Sequence, residues 1–372
     1  MPAELSIGTL LESEDAAPAK LNPAKFNRHT FWCGQSGSGK TYALGVVLEQ
    51  LLLHTRLPLV ILDPNSDFVR LGDIREGASA EVRDELATRD IRVLRHGDRE
   101  GLPLHARFLD LPLRSRAAVL QIDPVYDAED FNVMLHIEDE MQSMLRTGGM
   151  ATVTEDGALV KFLRGSEDPA RHRLATRLEN LGIADWDLWS WGRDSVADVI
   201  DEKPDATVVD LGSFGTQPEM RSAALAVLDH LWLHREDRIP RLIVIDEAHN
   251  LCSPEPETPL HRLLTERIVQ IAAEGRKYGL WLLLSTQRPS KVHPNALSQC
   301  DNLALMRMSS SRDLDELGSV FGYAPPSLLE RSPGFAQGQA LFAGGFVNTP
   351  VIVQMGARLT HEGGIDVSVP LR

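Results

Sequence analysis

Short apolar blocks, each running into a polar or acidic cluster, recur along this 372-residue chain. Residues 30–33, 57–62, 207–211, 242–245, 280–285 and 303–307 are too short for helices, and several are apolar at consecutive positions. That is the pattern of strands buried on both faces. Between them the spacing changes to a helical period. Leu44, Val47, Leu48 and Leu51 share one face of a helix predicted over residues 40–54, and further helices are expected over about 218–234 and 261–277. Strand, helix, strand in this order is a βαβ unit, the start of a parallel sheet. Residues 340–343 and 351–354, separated by Gly344-Gly345, predict a closing β-hairpin.

Between residues 72 and 203 the alternation fades. Residues 91–94 and 105–109 read as short strands, whereas 114–122, 128–147 and 170–180 carry helical periodicity. The division that follows is an N-terminal arm or short hairpin over 1–28, a first core segment over 29–71, a mainly helical insertion over 72–203, a second core segment over 204–358 and a tail over 359–372. The fold class expected is α/β, a mostly parallel sheet with a largely helical insertion.

The loop between the first strand and its helix carries the most specific chemistry. Gly34-Gln35-Ser36-Gly37-Ser38-Gly39-Lys40-Thr41 has the G-x-x-x-x-G-K-[ST] spacing of a phosphate-binding (Walker A) loop. Its glycines permit backbone geometry that side chains would block, so that amide groups of the turn and the helix N-terminus face a polyphosphate. Lys40 is placed to reach the β/γ-phosphates, and Thr41 to offer its hydroxyl to Mg²⁺.

A second block supplies acids. The apolar run at 242–245 ends in Asp246-Glu247, which predicts a buried strand delivering carboxylates beside the γ-phosphate. Asp246 is expected in the Mg²⁺ shell and Glu247 as the general base that polarises water. Gln287, after the strand at 280–285, is expected to sense the γ-phosphate. The ligands implied are ATP and Mg²⁺.

These segments together resemble the HerA branch of the HerA/FtsK ATPases. The resemblance runs from about residue 28 to 366 and rests on Arg28-His29, the phosphate loop, Asp246-Glu247-Ala248-His249-Asn250, Glu274-Gly275-Arg276-Lys277-Tyr278-Gly279, Ser285-Thr286-Gln287-Arg288-Pro289-Ser290 and Leu297-Ser298-Gln299-Cys300-Asp301-Asn302. The closing Gly338-Gln339-Ala340-Leu341 and Gly363-Gly364-Ile365-Asp366 fit as well. It implies a RecA-like P-loop core, a homohexameric ring with ATP between subunits, and translocation along double-stranded DNA. By the same carry-over Arg28 acts on nucleotide in cis and Arg276 is an arginine finger supplied in trans. Two departures stand out. The 28 residues ahead of the core are too few for the small β-barrel of larger members, on which a nuclease docks. The second strand ends in Asp63-Pro64-Asn65-Ser66-Asp67-Phe68 instead of the family's Gly-Glu-Tyr ending.

Composition narrows the alternatives. With no apolar run near 18 residues, a membrane partner is not expected and the protein reads as cytoplasmic. The net charge of −15 argues against nucleic acid binding over the whole surface, though not in a local channel. Lys161, Arg164, Arg171, Arg173 and Arg177 form a local basic patch, read first as a solvated helix face and second as a DNA contact. Trp186, Trp189 and Trp191 are expected to pack a core rather than stack on bases. His230 and His234 have metal-pair spacing but no third ligand nearby. Cys33, Cys252 and Cys300 suggest neither a disulfide framework nor a zinc site. A regulatory ring that organises a nuclease or NAD-consuming defence effector is the competing reading, and a DNA pump for conjugation or packaging a third.

Overall fold

A computed structural model describes residues 4–12, 15–146, 158–190 and 194–364. Its spine is a 12-stranded sheet built from β1 (Leu5–Leu10), β2 (Pro18–Leu21), β3 (His29–Cys33), β4 (Leu59–Asp63), β5 (Ile91–Arg95), β6 (Leu102–Pro103), β7 (Ala206–Asp210), β8 (Arg241–Ile245), β9 (Leu280–Thr286), β10 (Cys300–Leu305), β11 (Gln339–Gly344) and β12 (Val351–Met355). The order across the sheet is β2-β1-β12-β11-β10-β3-β9-β8-β4-β7-β5-β6. From β10 to β6 every pairing is parallel, and from β2 to β10 every pairing is antiparallel.

Alternation along the strands explains why the central blocks are apolar at every position. Phe31, Val60, Leu62, Ile243 and Ile245 join the core on one face, while Trp32, Leu59, Ile61, Leu242 and Val244 join the core on the other. Each fully buried aliphatic side chain contributes about 1.5–3 kcal/mol of transfer free energy. The second of these faces is covered by the helix Lys40–His54, and the first by Gln217–Leu233, Pro259–Glu274 and the helices of the insertion.

The insertion departs from its expected outline. Residues 91–95 are not a local strand of a separate unit: β5 pairs with β7 inside the main sheet. Residues 105–109 form no strand. Ala106 makes one bridge to Trp189, donating to the Leu188 carbonyl and accepting from the Ser190 amide, and the pairing ends where Phe108–Asp110 turns into a 3₁₀ helix. The helices Leu113–Val119, Ala128–Arg146 and Pro169–Leu181 lie over the predicted segments. At the other end, residues 5–21 are no free arm. β1 and β2 form a hairpin that closes over β12, the register requiring Gly8, where a Cβ would meet the Gln354 carbonyl oxygen at 2.1 Å.

The tail is equally well anchored as far as residue 364. Buried Glu49, on the helix after the phosphate loop, accepts hydrogen bonds from the amides of Leu359 and Thr360 and from the Thr360 hydroxyl. Gly363 donates to the Asp67 carbonyl. This closing segment therefore straps the loop helix to the turn after β4.

Candidate nucleotide site

Two parallel strands place the loop and the acids at the same edge of the sheet. β3 runs directly into Gly34, and β8, two places away, runs directly into Asp246. Gly37 and Gly39 adopt positive φ (73° and 87°), and a Cβ on Gly34 would lie 2.7 Å from the Met306 Cβ, so three glycines are imposed by geometry. The loop is tied from outside: Gln35 donates its amide to the Arg307 carbonyl, Ser309 donates to Gln35 Oε1, and Arg307 Nη2 donates to the Gly37 carbonyl.

Lys40 is buried at the start of its helix. Its ammonium donates to Asp246 Oδ1 at 2.6 Å and to Ser285 Oγ at 2.9 Å, and lies 3.2 Å from Glu247 Oε1. Burial works to deprotonate it, but Asp246 and Glu247 outweigh burial and hold it above the ordinary lysine value. Glu247 sits in a left-handed conformation with φ 43°, a strained backbone for a side-chain-bearing residue and one that aims its carboxylate back over the loop. It accepts from Gln287 Nε2 at 2.9 Å and lies 3.2 Å from His249 Nδ1. Burial would raise its carboxyl, yet His249, Lys40 and Gln287 together bring it down to about 2.

Behind these groups lies an acidic cluster. Asp63, Asp67 and Asp246 bring carboxylate oxygens within 4.8 Å of one another, and the Thr41 hydroxyl lies 3.4 Å from Asp67 Oδ2. Burial, with the charge of Asp246, pushes Asp63 up to about 8 and Asp67 up to about 6. Asp246 Oδ2 is buried without a hydrogen-bond partner. An oxygen-only set with one unsatisfied carboxylate oxygen suits a hard cation such as Mg²⁺, which Thr41 and Asp246 would hold and which would neutralise phosphate charge. The cleft above has a volume of about 740 Å³. Gln35, Ser36, Thr41, Gln287, Gln354 and Gly356 are among the residues lining it.

Two predicted residues do not reach this cleft. Arg28 precedes β3 and Arg276 precedes β9, so both lie at the opposite edge of the sheet from the loop, where Asp301 holds them at 3.5 Å and 2.7 Å. With about 3.3 Å of rise per residue, the length of β3 separates Arg28 from the loop of its own chain. The expectation that Arg28 acts in cis is therefore corrected.

The remaining candidates are structural. Arg164 pairs with Glu179, Arg171 with Glu140, Arg173 with Glu129 and Asp130, and Arg177 with Asp127 and Asp130. The patch is thus largely neutralised within the insertion, while Lys161 is exposed. Trp186 stacks on Trp189, which packs edge-on against Phe108 and donates to the Ile183 carbonyl; Trp191 lies outside the described residues, as do Ile365 and Asp366. His230 bonds Asp201, and His234 bonds the His230 carbonyl. The three cysteines are buried and unpaired. No described helix is long and apolar enough to cross a membrane.

Sequence reading missed several participants. Ser285, His249, Asp63 and Asp67 stood inside quoted motifs without a role, and only the fold brings them together. An acid four residues after Asp63, on a turn that closes onto its carboxylate, was the available signal.

Comparison with known proteins agrees with this geometry. Residues 5–152 match the family model for the central domain of helicase HerA. The DNA double-strand break repair helicase HerA of Pyrococcus furiosus is 29% identical over 116 residues, covering 31% of this chain and 20% of that protein. The Sulfurisphaera tokodaii HerA is 31% identical over 118 residues, covering 32% and 23%. The matched stretches thus span about a quarter or less of these relatives' lengths. Among solved structures, VirB4 of Thermoanaerobacter pseudethanolicus superposes with a TM-score of 0.61 at 16% identity, covering 96% of this chain and 97% of that one. The bacterial conjugative coupling protein TrwB gives 0.59 at 15% identity, covering 96% and 90%. These two likenesses show a shared P-loop ATPase fold.

Proposed function

Because this chain is related to the HerA-type ATPases of the HerA/FtsK superfamily, we propose that it is an ATP hydrolase that assembles as a hexameric ring and translocates double-stranded DNA. The observation that carries the hydrolase reading is the clamp on Glu247, whose ionised carboxylate is held by Lys40, Gln287 and His249 beside the phosphate loop. In this reading the triphosphate draws Lys40 away from Asp246 and Glu247 and onto its own oxygens. Glu247 then loses its nearest counter-charge and becomes a better acceptor for the proton of an attacking water. Gln287, bonded to Glu247, orients that carboxylate and reports the γ-phosphate. Thr41 and Asp246 would hold Mg²⁺, which would supply charge neutralisation to the phosphates.

The position of Arg276 supports the ring. A guanidinium at the sheet edge away from its own loop can serve a nucleotide only on a neighbouring chain, and such fingers are worth about 10³–10⁵ in turnover. Arg28, on the same carboxylate, belongs with it as a trans element. The test is duplex-stimulated hydrolysis together with native mass measured with ATP, with and without DNA. A hexamer whose turnover rises with duplex length fits a motor, whereas a monomer indifferent to DNA ends this reading.

One observation favours the alternative of a regulatory ring that organises a nuclease or NAD-consuming effector. Four arginines of the insertion's basic segment are committed to internal ion pairs, on a chain of net charge −15. An assembled ring hydrolysing ATP with no response to duplex would select that alternative.

A further inference from the structure

We propose that Asp301 is a positioning residue, a fixed carboxylate that holds the Arg276 guanidinium ready for the neighbouring chain's nucleotide. The inference rests on the reading of Arg276 as a finger supplied in trans, and adds to it the group that aims the finger. Arg28, Arg276 and Asp301 stand at the N-terminal ends of three adjacent parallel strands, β3, β9 and β10. No run of sequence joins them. Only the order of the strands brings the three side chains to one place.

Both guanidiniums meet the same oxygen. Asp301 Oδ2 lies 2.7 Å from Arg276 Nη1 and 3.5 Å from Arg28 Nε, and neither arginine has another acidic partner among the described residues. Arg276 spends one donor on this contact, which leaves its Nε and Nη2 without a protein partner among the described residues. His29, beside them in sequence, adds no charge at neutral pH, because burial and Arg276 push it down to about 4. One carboxylate against two guanidiniums leaves positive charge in excess, so the acid can orient Arg276 without cancelling its attraction for a phosphate.

The mounting of Asp301 is rigid. Its carbonyl accepts the Gly345 amide at 3.3 Å, and Gly344, at φ 109°, is so close that a Cβ there would lie 2.2 Å from that carbonyl oxygen. The next residue, Asn302, is fully buried; it donates to the Lys25 carbonyl and to Thr30 Oγ1 and accepts the Phe346 amide. Arg276, by contrast, rides on the 3₁₀ turn Gly275–Tyr278, and an unpaired arginine side chain samples many rotamers. The three side chains are all a third to a half exposed, and an ion pair in such a setting contributes little to stability. Its effect is on orientation instead.

The experiment compares Asp301→Asn with wild type in the full chain. The kcat for ATP should fall by roughly tenfold, the scale of an arginine's rotamer freedom, against the about 10³–10⁵ lost with a finger guanidinium itself. KM and the melting temperature should hold, since the chain's own phosphate loop is at the other edge of the sheet. The decisive readout is mixing. Combined with Glu247→Gln, which keeps both arginines but does not hydrolyse, Asp301→Asn should turn over ATP faster per Asp301→Asn chain than it does alone, because some of its sites now face a correctly held finger. Arg276→Ala mixed with Glu247→Gln is the control. Rescue of Arg276→Ala without rescue of Asp301→Asn would overturn the proposal and leave the trans finger standing, whereas rescue of neither would remove both. Unchanged kcat in Asp301→Asn would overturn it as well. So would early melting, or loss of the assembly that native mass shows for wild type with ATP, since either makes Asp301 a structural residue.

Discussion

At the residue scale the two groups most exposed to test are Lys40 and Glu247. Replacing Lys40 with Ala removes the buried cation that neutralises Asp246 and Glu247, so nucleotide binding should be lost and the chain destabilised by several kcal/mol, about 3–5 for a broken buried pair. Isothermal titration with ATP and chemical denaturation measure the two effects. Glu247→Gln keeps the size of the side chain, and ATP should remain bound while turnover falls by a factor of about 10² or more. His29 offers a pH readout. It is buried, accepts the Leu282 amide at Nδ1, and is pushed down to about 4 by burial first and by Arg276 second. Since its unfolded value is near 6.5, the unfolded chain binds the extra proton between those limits, so stability is retained above pH 6.5 and falls as pH drops toward 4. His29→Asn should flatten that slope in denaturation curves measured across the window. His261, also lowered to about 4 by burial, adds a slope of the same sign that the variant leaves in place.

At the scale of elements, the apolar blocks and the phosphate loop could be read directly because each is a contiguous signal. Residues 59–62 and 242–245 are continuous apolar runs, as expected of strands with both faces covered. What could not be read was long-range pairing. Nothing local in residues 91–95 says that they extend the sheet beside β7, and nothing in residues 5–21 names β12 as their partner. The Arg28 expectation failed for the same reason, since nearness to the loop in sequence is a full strand's length away in space. The hairpin of β1 and β2 carries its own test. Gly8→Val should lower the melting temperature, for the new side chain collides with the Gln354 carbonyl and adds strain at φ 152°. Light scattering should show self-association as the edge of β12 becomes available.

For the whole molecule, the decisive geometry is the separation of Gln287 and Glu247 on one sheet edge from Arg28 and Arg276 on the other. If the arginines serve a neighbour, mixing wild type with an Arg276→Ala chain should alter ATP turnover nonlinearly with the fraction of mutant. A straight line through the mixing series would remove the trans assignment. β9 has a consequence of its own, because it begins just after Arg276 and ends just before Gln287. If the chain closes into the proposed ring, that strand would be a stiff rod with one tip facing its own fuel and the other the adjacent subunit's. In such a ring a tilt that seats one tip would displace the other, so seven residues of strand would couple the two nucleotide sites.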